Sequence, residues 1–491
     1  MNGRHEEERR IYERSVRLIL LLALRKVCPG AKLRVEHSIG YGVYMNVEGV
    51  SLTAALVRSI EEAMREIARQ DLPITKDRWS REEAIAYFDR QGQLDTVRLL
   101  AYRPFDYFNV YTCDGLSEYF YGDMVSSTGA VNRFALRFYY PGMVLLLPGE
   151  QLDGPPAPFA ERPQLMRTYA QANECSRILQ CESAADLNDI IARGEARTFI
   201  RVSEAMQDRA IAQIAERIVA RGARVVFIAG PSSSGKTTFA NRLSIQLRVS
   251  GKQPVAISLD NYYLNREDIP LGSDGTPDLE CLEAIDVPLF NEQLVELLAG
   301  REVELPKYSF YTKKREKTGV RLSVTQDQIL IVEGIHGLND RLCSDIPSDL
   351  KFRIYVSALT QLNLDGHNRI RTTDVRLMRR MVRDHRTRAT SAMETMEMWD
   401  KVREGEEKYI FPFQEKADVM FNSSLLYEIA ILKKYAYPML LKIDEKSPYY
   451  VRARRLVKFL NYFVDCDKES EIPPTSILRE FVGGCTFYDE A

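Results

Sequence analysis

The stretch Gly230-Pro231-Ser232-Ser233-Ser234-Gly235-Lys236-Thr237 constrains this chain more than any other feature. Its spacing is GxxxxGK[ST]. It follows the apolar run RVVFIA directly, and it opens a segment whose Phe239, Leu243 and Leu247 share one helical face. Strand, Gly-rich turn and helix in that order aim successive backbone N–H groups inward, which suits the turn to phosphate oxygens. Lys236 is then placed to reach β- and γ-phosphates, and the Thr237 hydroxyl to hold Mg²⁺. Gly230, Ser232, Ser233, Ser234, Gly235, Lys236, Thr237 and Thr238 are the expected nucleotide contacts. The bland alternative, a Gly-Ser turn with an incidental lysine, does not account for the flanking strand and helix.

Two strand-end carboxylates extend the pattern. Ile329-Leu330-Ile331-Val332-Glu333-Gly334 reads as a buried strand ending in an acid, and such an acid beside the Gly-rich turn serves Mg²⁺. Val255-Ala256-Ile257-Ser258-Leu259-Asp260 ends in a second acid, 24 residues past Lys236 (260 − 236). An acid there can take a proton from an acceptor hydroxyl. No NKxD occurs, which weighs against guanine selection. Asp374–Arg388 carries Arg376, Arg379, Arg380, Arg383, Arg386 and Arg388, with Leu377, Met378, Met381 and Val382 between them. Beside a phosphate-binding turn this reads as a lid helix whose guanidiniums neutralise charge. A solvated basic helix and a nucleic-acid contact are the alternatives.

The whole chain gives these motifs an ordinary setting. It has 491 residues, 67 Lys+Arg against 69 Asp+Glu, and a formal charge of −2. That balance excludes a uniformly basic surface made for nucleic acid or membrane. The length calls for several domains. The cysteines (28, 113, 175, 181, 281, 343, 466 and 485) form no CxxC pair, so neither a zinc ribbon nor a disulfide framework is signalled. The N-terminus shows no signal-peptide pattern. The apolar run Leu18–Leu24 falls far short of the roughly 20 residues of a membrane span. A cytoplasmic protein is the expectation.

Four parts follow along the chain. Residues 1–150 have α+β texture, with a helix over Ile11–Val27, short strands at Lys32–Val35 and Val43–Val47, a helix over Thr53–Arg69 and aromatic, turn-punctuated segments after it. Residues 151–221 start as a Pro/Gly-rich linker and continue as bridging helices. Residues 222–440 alternate apolar runs (RVVFIA, VAISL, ILIVEG, FRIYVS) with helical stretches, the pattern of an α/β unit with a parallel sheet covered by helices. Residues 441–491 read as helical, with Gly483-Gly484-Cys485 as a turn.

The 222–440 part resembles the uridine kinase and phosphoribulokinase family of P-loop kinases. The carriers are GPSSSGKTT (230–238), SLDNYY (258–263), DLECLEAID (278–286), PKYSFYTKKR (306–315), IVEGIHGLN (331–339) and RLMRRMVRD (376–384). The resemblance implies a five-stranded parallel sheet, a mobile Arg-bearing lid, and ATP–Mg²⁺ phosphorylating a hydroxyl of a ribose-like acceptor. It places Asp260 as the base, with Lys236, Arg379 and Arg383 acting on the transferred phosphoryl group. Thr237 and Glu333 fall at the metal. Glu280 lies where the family holds ribose hydroxyls, and Tyr308 where an aromatic packs on the acceptor. Arg315, Arg380 and Arg386 complete the acceptor side. Lys313 stands where a histidine helps read the pyrimidine. A lysine loses the planar ring and adds a charge, so a different nucleoside or a sugar phosphate stays open as acceptor.

The first 150 residues resemble the second additional domain of threonyl- and alanyl-tRNA synthetases, through CPGAKL (28–33), HSIGYGVYM (37–45) and CDGLSEYFYGDMVSSTG (113–129). Three of the four metal-ligand positions of that domain fall here on Leu18, Leu22 and Ser117, and only Cys113 matches. A lone thiolate makes no zinc site, so editing hydrolysis is not expected. His37 reads as a hydrogen-bonded turn histidine and Cys113 as a small buried residue. The expected partner is a small-molecule acceptor. Homo-oligomerisation and RNA binding by the N-terminal domain stay open, as does a non-catalytic ATP-binding regulatory role.

Overall fold

The structure is a computed structural model describing residues 3–272, 275–309, 312–342 and 344–488. Cys343 and the Phe310-Tyr311 pair of PKYSFYTKKR lie outside the described residues.

A five-stranded parallel sheet centres the molecule. Its strands are β1 (Val225–Ala229), β2 (Gln253–Ser258), β3 (Gln328–Glu333), β4 (Lys351–Ser357) and β5 (Val419–Asn422). Their order is β5-β4-β1-β3-β2, all parallel. Every residue of β1 is buried, because both of its faces are covered, and this explains the unbroken apolar run. Period-two alternation sends Val226 and Ile228 to one core with Phe239, Leu243 and Met378, and Val225 and Phe227 to the other with Phe290 and Leu294. The sequence runs named four strands. β5, Val-Met-Phe-Asn, is only four residues long and makes no apolar run of its own.

The N-terminal part is α+β. The strands Lys32–Ile39, Gly42–Glu48, Gly142–Leu146 and Ala135–Tyr139 pair antiparallel in that order. Gly40, at φ 57, turns the first hairpin. His37 therefore lies in a strand and not in the turn. Its ring is buried and stacks on Tyr169, with centroids 3.5 Å apart. A second sheet joins Thr75–Ser80, Tyr107–Cys113 and Leu116–Tyr119. Its Phe108, Val110 and Tyr119 enter the same core as Phe239 of the Gly-rich turn's helix and Leu456 and Leu460 near the C-terminus. Cys113 is buried in the separate N-terminal core, and burial pushes its thiol up to about 11.

The N-terminal helix runs over Gly3–Val27, eight residues earlier than its apolar pattern announces. The extra turns are charged and face the parallel-sheet unit. Arg10 donates to Asp374 at 2.8 and 3.0 Å, and Arg455 reaches the same carboxylate. Glu13 accepts from Arg369 and Arg371. Glu118 of the second sheet pairs with His367 at 3.0 Å. Past residue 441, the helix Tyr450–Leu460 is followed by largely irregular chain, with one short helix at Arg479–Val482. Within residues 441–491 the helical reading matches Tyr450–Leu460 and Arg479–Val482 and not the chain around them.

Candidate functional site: the Gly-rich turn and its acids

The turn hangs between the C-terminal end of β1 and the helix Lys236–Val249. Ser233 (φ 58) and Gly235 (φ 83) both take left-handed backbone, which curls the chain and leaves its N–H groups inside the bend. A side chain at Gly230 would collide with the Val356 carbonyl oxygen of β4. A Cβ at Gly235 would stand 2.5 Å from Ile477 Cγ2. Both glycines are thus required by close approach. The Ser233 and Ser234 hydroxyls are buried without a partner, so the cradle has hydrogen-bonding capacity to spare for a phosphate.

The acids stand where the strands end. β3 brings Glu333 to the turn, and Thr237 Oγ1 donates to its carboxylate at 3.1 Å. Hydroxyl and carboxylate side by side form an oxygen donor pair suited to a hard divalent cation. Burial raises Glu333 to about 7, Lys236 opposes that rise, and Asp260 adds to it. Burial lowers the Lys236 ammonium, while Glu333 and Asp260 hold it up. Its Nζ donates to the Pro231 carbonyl at 3.2 Å. Asp260 opens onto solvent, yet the cleft walls desolvate it and raise its pKa above the usual carboxylate value, against the pull of Lys236 and Arg388. Lys236, Thr237, Glu333 and Asp260 form one electrostatic group.

Glu280 is half-buried nearby. Burial and the neighbouring Glu406 raise it to about 7, and Arg380 and Lys236 pull it down. Tyr308 is buried, with its ring 5.5 Å from that of Tyr263. Arg315 is engaged as a latch. It donates to Asp286 at 2.9 Å and to the Tyr262 and Tyr263 carbonyls. Lys313 is exposed at a hairpin turn with left-handed backbone (φ 57).

The arginine helix, Thr372–Arg388, differs most from the lid expected of it. Arg379 is fully buried and ion-paired to Glu428, and it donates to the Ser423 carbonyl at 2.9 Å. Arg376 is buried against Glu406 and donates to the Ser232 carbonyl at 2.9 Å. These two guanidiniums tie the loop's carbonyls from behind. The apolar residues between them pull this helix face into the core, and the arginines go with it. Arg380 reaches the Ser232 hydroxyl at 2.7 Å. Arg383 and Arg388 gather around the buried Asp384, and Arg386 donates to the Glu480 carbonyl at 3.1 Å.

Sequence reasoning missed two contributors. Glu406 is fully buried, accepts the Ser232 N–H at 3.0 Å and anchors both Arg376 and Arg403. Glu480, near the C-terminus, accepts from the Thr238 hydroxyl at 2.7 Å, and Tyr488 meets that hydroxyl at 3.1 Å. No local pattern marks either residue. Glu406 pairs with Arg376, 30 residues away, and that pairing exists only in the fold.

Sheet order, Gly-rich turn and strand-end acids together define a P-loop nucleotide-binding kinase fold. Residues 225–429 match the model of the "Phosphoribulokinase / Uridine kinase family". This segment is similar to the uridine kinase of Deinococcus deserti, 26% identical over 42% of this chain and 91% of that protein. It is also similar to the uridine kinase of Bacillus pumilus, 28% identical over 42% and 90%. A solved structure described as a possible uridine kinase from Bacillus stearothermophilus is 20% identical, covers 43% of this chain and 97% of its own, and superposes with a TM-score of 0.30. The residues matched by the family model all lie beyond residue 224, so they lend no support to the N-terminal resemblance.

Proposed function

We propose that this domain transfers a phosphoryl group from ATP to a hydroxyl of a nucleoside-like acceptor. The observation that carries this reading is the convergence of Asp260, Lys236 and Glu333 on the phosphate-binding turn. The names of the similar proteins point the same way. Asp260 accepts the acceptor's proton as the new O–P bond forms and the bridge to the β-phosphate breaks. Lys236, Arg380 and Arg383 offset the charge on the phosphoryl oxygens. Thr237 and Glu333 would hold Mg²⁺, which would supply neutralisation of phosphate charge. Glu280 and Tyr308 orient the acceptor, with Arg386 at the rim.

Lys313, a cation on the exposed hairpin turn, favours a second acceptor class, a sugar phosphate. ATP consumption against a panel of nucleosides and sugar phosphates separates the two. Turnover with a single acceptor, lost in Lys236→Ala and Asp260→Asn, supports the kinase reading and names the acceptor class. ATP binding with no acceptor-dependent turnover across the panel refutes it. The arrangement suits work inside the cell, where ATP is supplied.

A further inference from the structure

A second cavity, about 830 Å³, lies between the N-terminal unit and the parallel-sheet unit. It sits behind the Arg376–Glu406 pair and shares no residue with the turn at 230–238. Its size is in the range of small-molecule sites. Helix, strand and loop residues far apart in sequence line it, among them His37, Tyr169, Thr360, Arg369, Arg371 and Trp399.

Three observations argue for a ligand here. First, two deeply buried side chains in the lining each carry an unpartnered polar atom, although the other ring nitrogen of His37, Nε2, lies 3.2 Å from Met166 Sδ. His37 is 6% exposed and Thr360 is 8% exposed, and neither His37 Nδ1 nor Thr360 Oγ1 has a hydrogen bond. A buried polar atom left unpaired is destabilising, so two in one cavity wall call for an occupant. Second, one carboxylate is shared among guanidiniums. Glu13 lies against Arg369, Arg371 and, at 3.9 Å, Arg17. Arg371, with Arg10 and Arg369 beside it, is held down to about 9, first by burial and then by those cations. Such a corner accepts an anion. Of the other lining carboxylates, Glu6 pairs with Arg10 and Arg452, Asp400 with Arg452 and Glu407 with Arg403, while Glu150 and Glu404 sit exposed at the rim. Third, the walls are aromatic. Tyr41, Tyr169, Tyr355 and Trp399 line the space, and flat π-surfaces suit a planar ring.

We propose that this cavity is a second small-molecule site, separate from the phosphate-binding turn, for a planar-ring ligand with one anionic group: a nucleoside monophosphate. Arg371 and Arg369 hold the phosphate. Thr360 and His37 pair with polar atoms of the sugar or base, and the ring packs among the aromatic walls.

Calorimetric titration of the full chain carrying Lys236→Ala, with UMP, AMP and inorganic phosphate as probes, tests this. One saturable event is expected with at least one monophosphate, and weaker binding with phosphate alone. Arg371→Ala in the same background is expected to weaken binding by about tenfold or more, the loss of a charge-assisted contact. Thr360→Val is expected to weaken it about 3–10-fold. Arg371→Lys keeps a charge at the position, and thermal unfolding of each variant separates lost binding from lost fold. The proposal fails if neither monophosphate binds. It fails if Arg371→Ala and Thr360→Val, both folded, bind as the parent does. It also fails if saturating ADP displaces the ligand, which assigns it to the turn, or if phosphate binds as tightly as UMP.

Discussion

The phosphate-binding turn and the junction between the two units are both crowded with charge, but they are assembled in opposite ways. At the turn, Gly230 to Thr238 is one continuous stretch, and two strand ends add Asp260 and Glu333. At the junction the pairs that join the two units come from afar: Glu13 with Arg369, Arg10 with Asp374, Glu118 with His367. The first assembly leaves its charges underpaired, so its carboxylates and lysine are shifted away from their usual ionisation. The second pairs its charges across the two units and uses them for docking, with guanidinium in excess only where Arg369 and Arg371 share Glu13. A functional site and a structural seam can thus hold the same residue types and differ in whether the charges are satisfied.

The largest expected effects break the two regions independently. Asp260→Asn is expected to lower turnover about 10²–10⁴-fold, the usual worth of a general base, with unfolding unchanged. Glu13→Ala strips the counter-ion from Arg369 and Arg371 and is expected to cost about 3–5 kcal/mol of stability, read from denaturant unfolding. If Glu13→Ala leaves the unfolding midpoint in place, the seam contributes nothing and the contrast collapses.

The pH dependence of stability comes next. Burial opposes the charge on His367, but Glu118 and Asp365 outweigh it and lift the imidazole to about 9 from 6.5. A raised histidine stabilises fully below the unfolded value and loses that contribution as pH climbs through the folded one. Asp365, raised to about 7 chiefly by burial, acts in the same direction, since its ionisation is cheaper in the unfolded chain. The melting temperature is therefore expected to fall between pH 6.5 and about 9. The change is on the order of 2–3 kcal/mol, and Glu118→Gln should flatten the slope. An equally steep slope in that variant would remove the pair from the account.

These contrasts also show what could be read without coordinates. GxxxxGK[ST] after a strand was legible because a phosphate cradle is built from neighbours in sequence, and the strand-end acids because β-runs announce their own ends. The α/β class and the parallel sheet followed from the same apolar runs. The buried side of the arginine helix was not legible. Arg376 and Arg379 look like lid residues in a string of letters, and only Glu406 and Glu428, 30 and 49 residues away, draw them inside. The N-terminal helix start failed for a related reason: Glu6, Arg10 and Glu13 carry no apolar period, because ion pairs and not hydrophobes bury them. His37 was misplaced because two glycines at Gly40 and Gly42 blur where the turn begins.

Gly235→Ala sharpens the local side of the contrast. The left-handed backbone costs a non-Gly residue about 1–2 kcal/mol, and the new Cβ meets Ile477 at 2.5 Å. Weaker ADP binding with a modest drop in stability is the expected result, read by titration and melting together.

The smallest effect concerns the one place where the two kinds of assembly meet. The C-terminal segment brings Ile477, Glu480 and Tyr488 onto the turn itself, although some 240 residues separate Thr238 from Glu480 (|i−j| = 242). The Glu480 carboxylate takes the hydroxyl of Thr238 and adds negative charge near Lys236 and Glu333. A nucleotide arriving at the turn brings phosphates into that same field, so the glutamate opposes it. Glu480→Gln keeps the shape and removes the charge. It is expected to tighten ADP binding about 3–10-fold, the scale of one removed like-charge neighbour, with the gain shrinking as salt rises. A salt-independent change would trace the effect to packing of the segment, and weaker binding would make Glu480 part of the nucleotide site rather than its competitor.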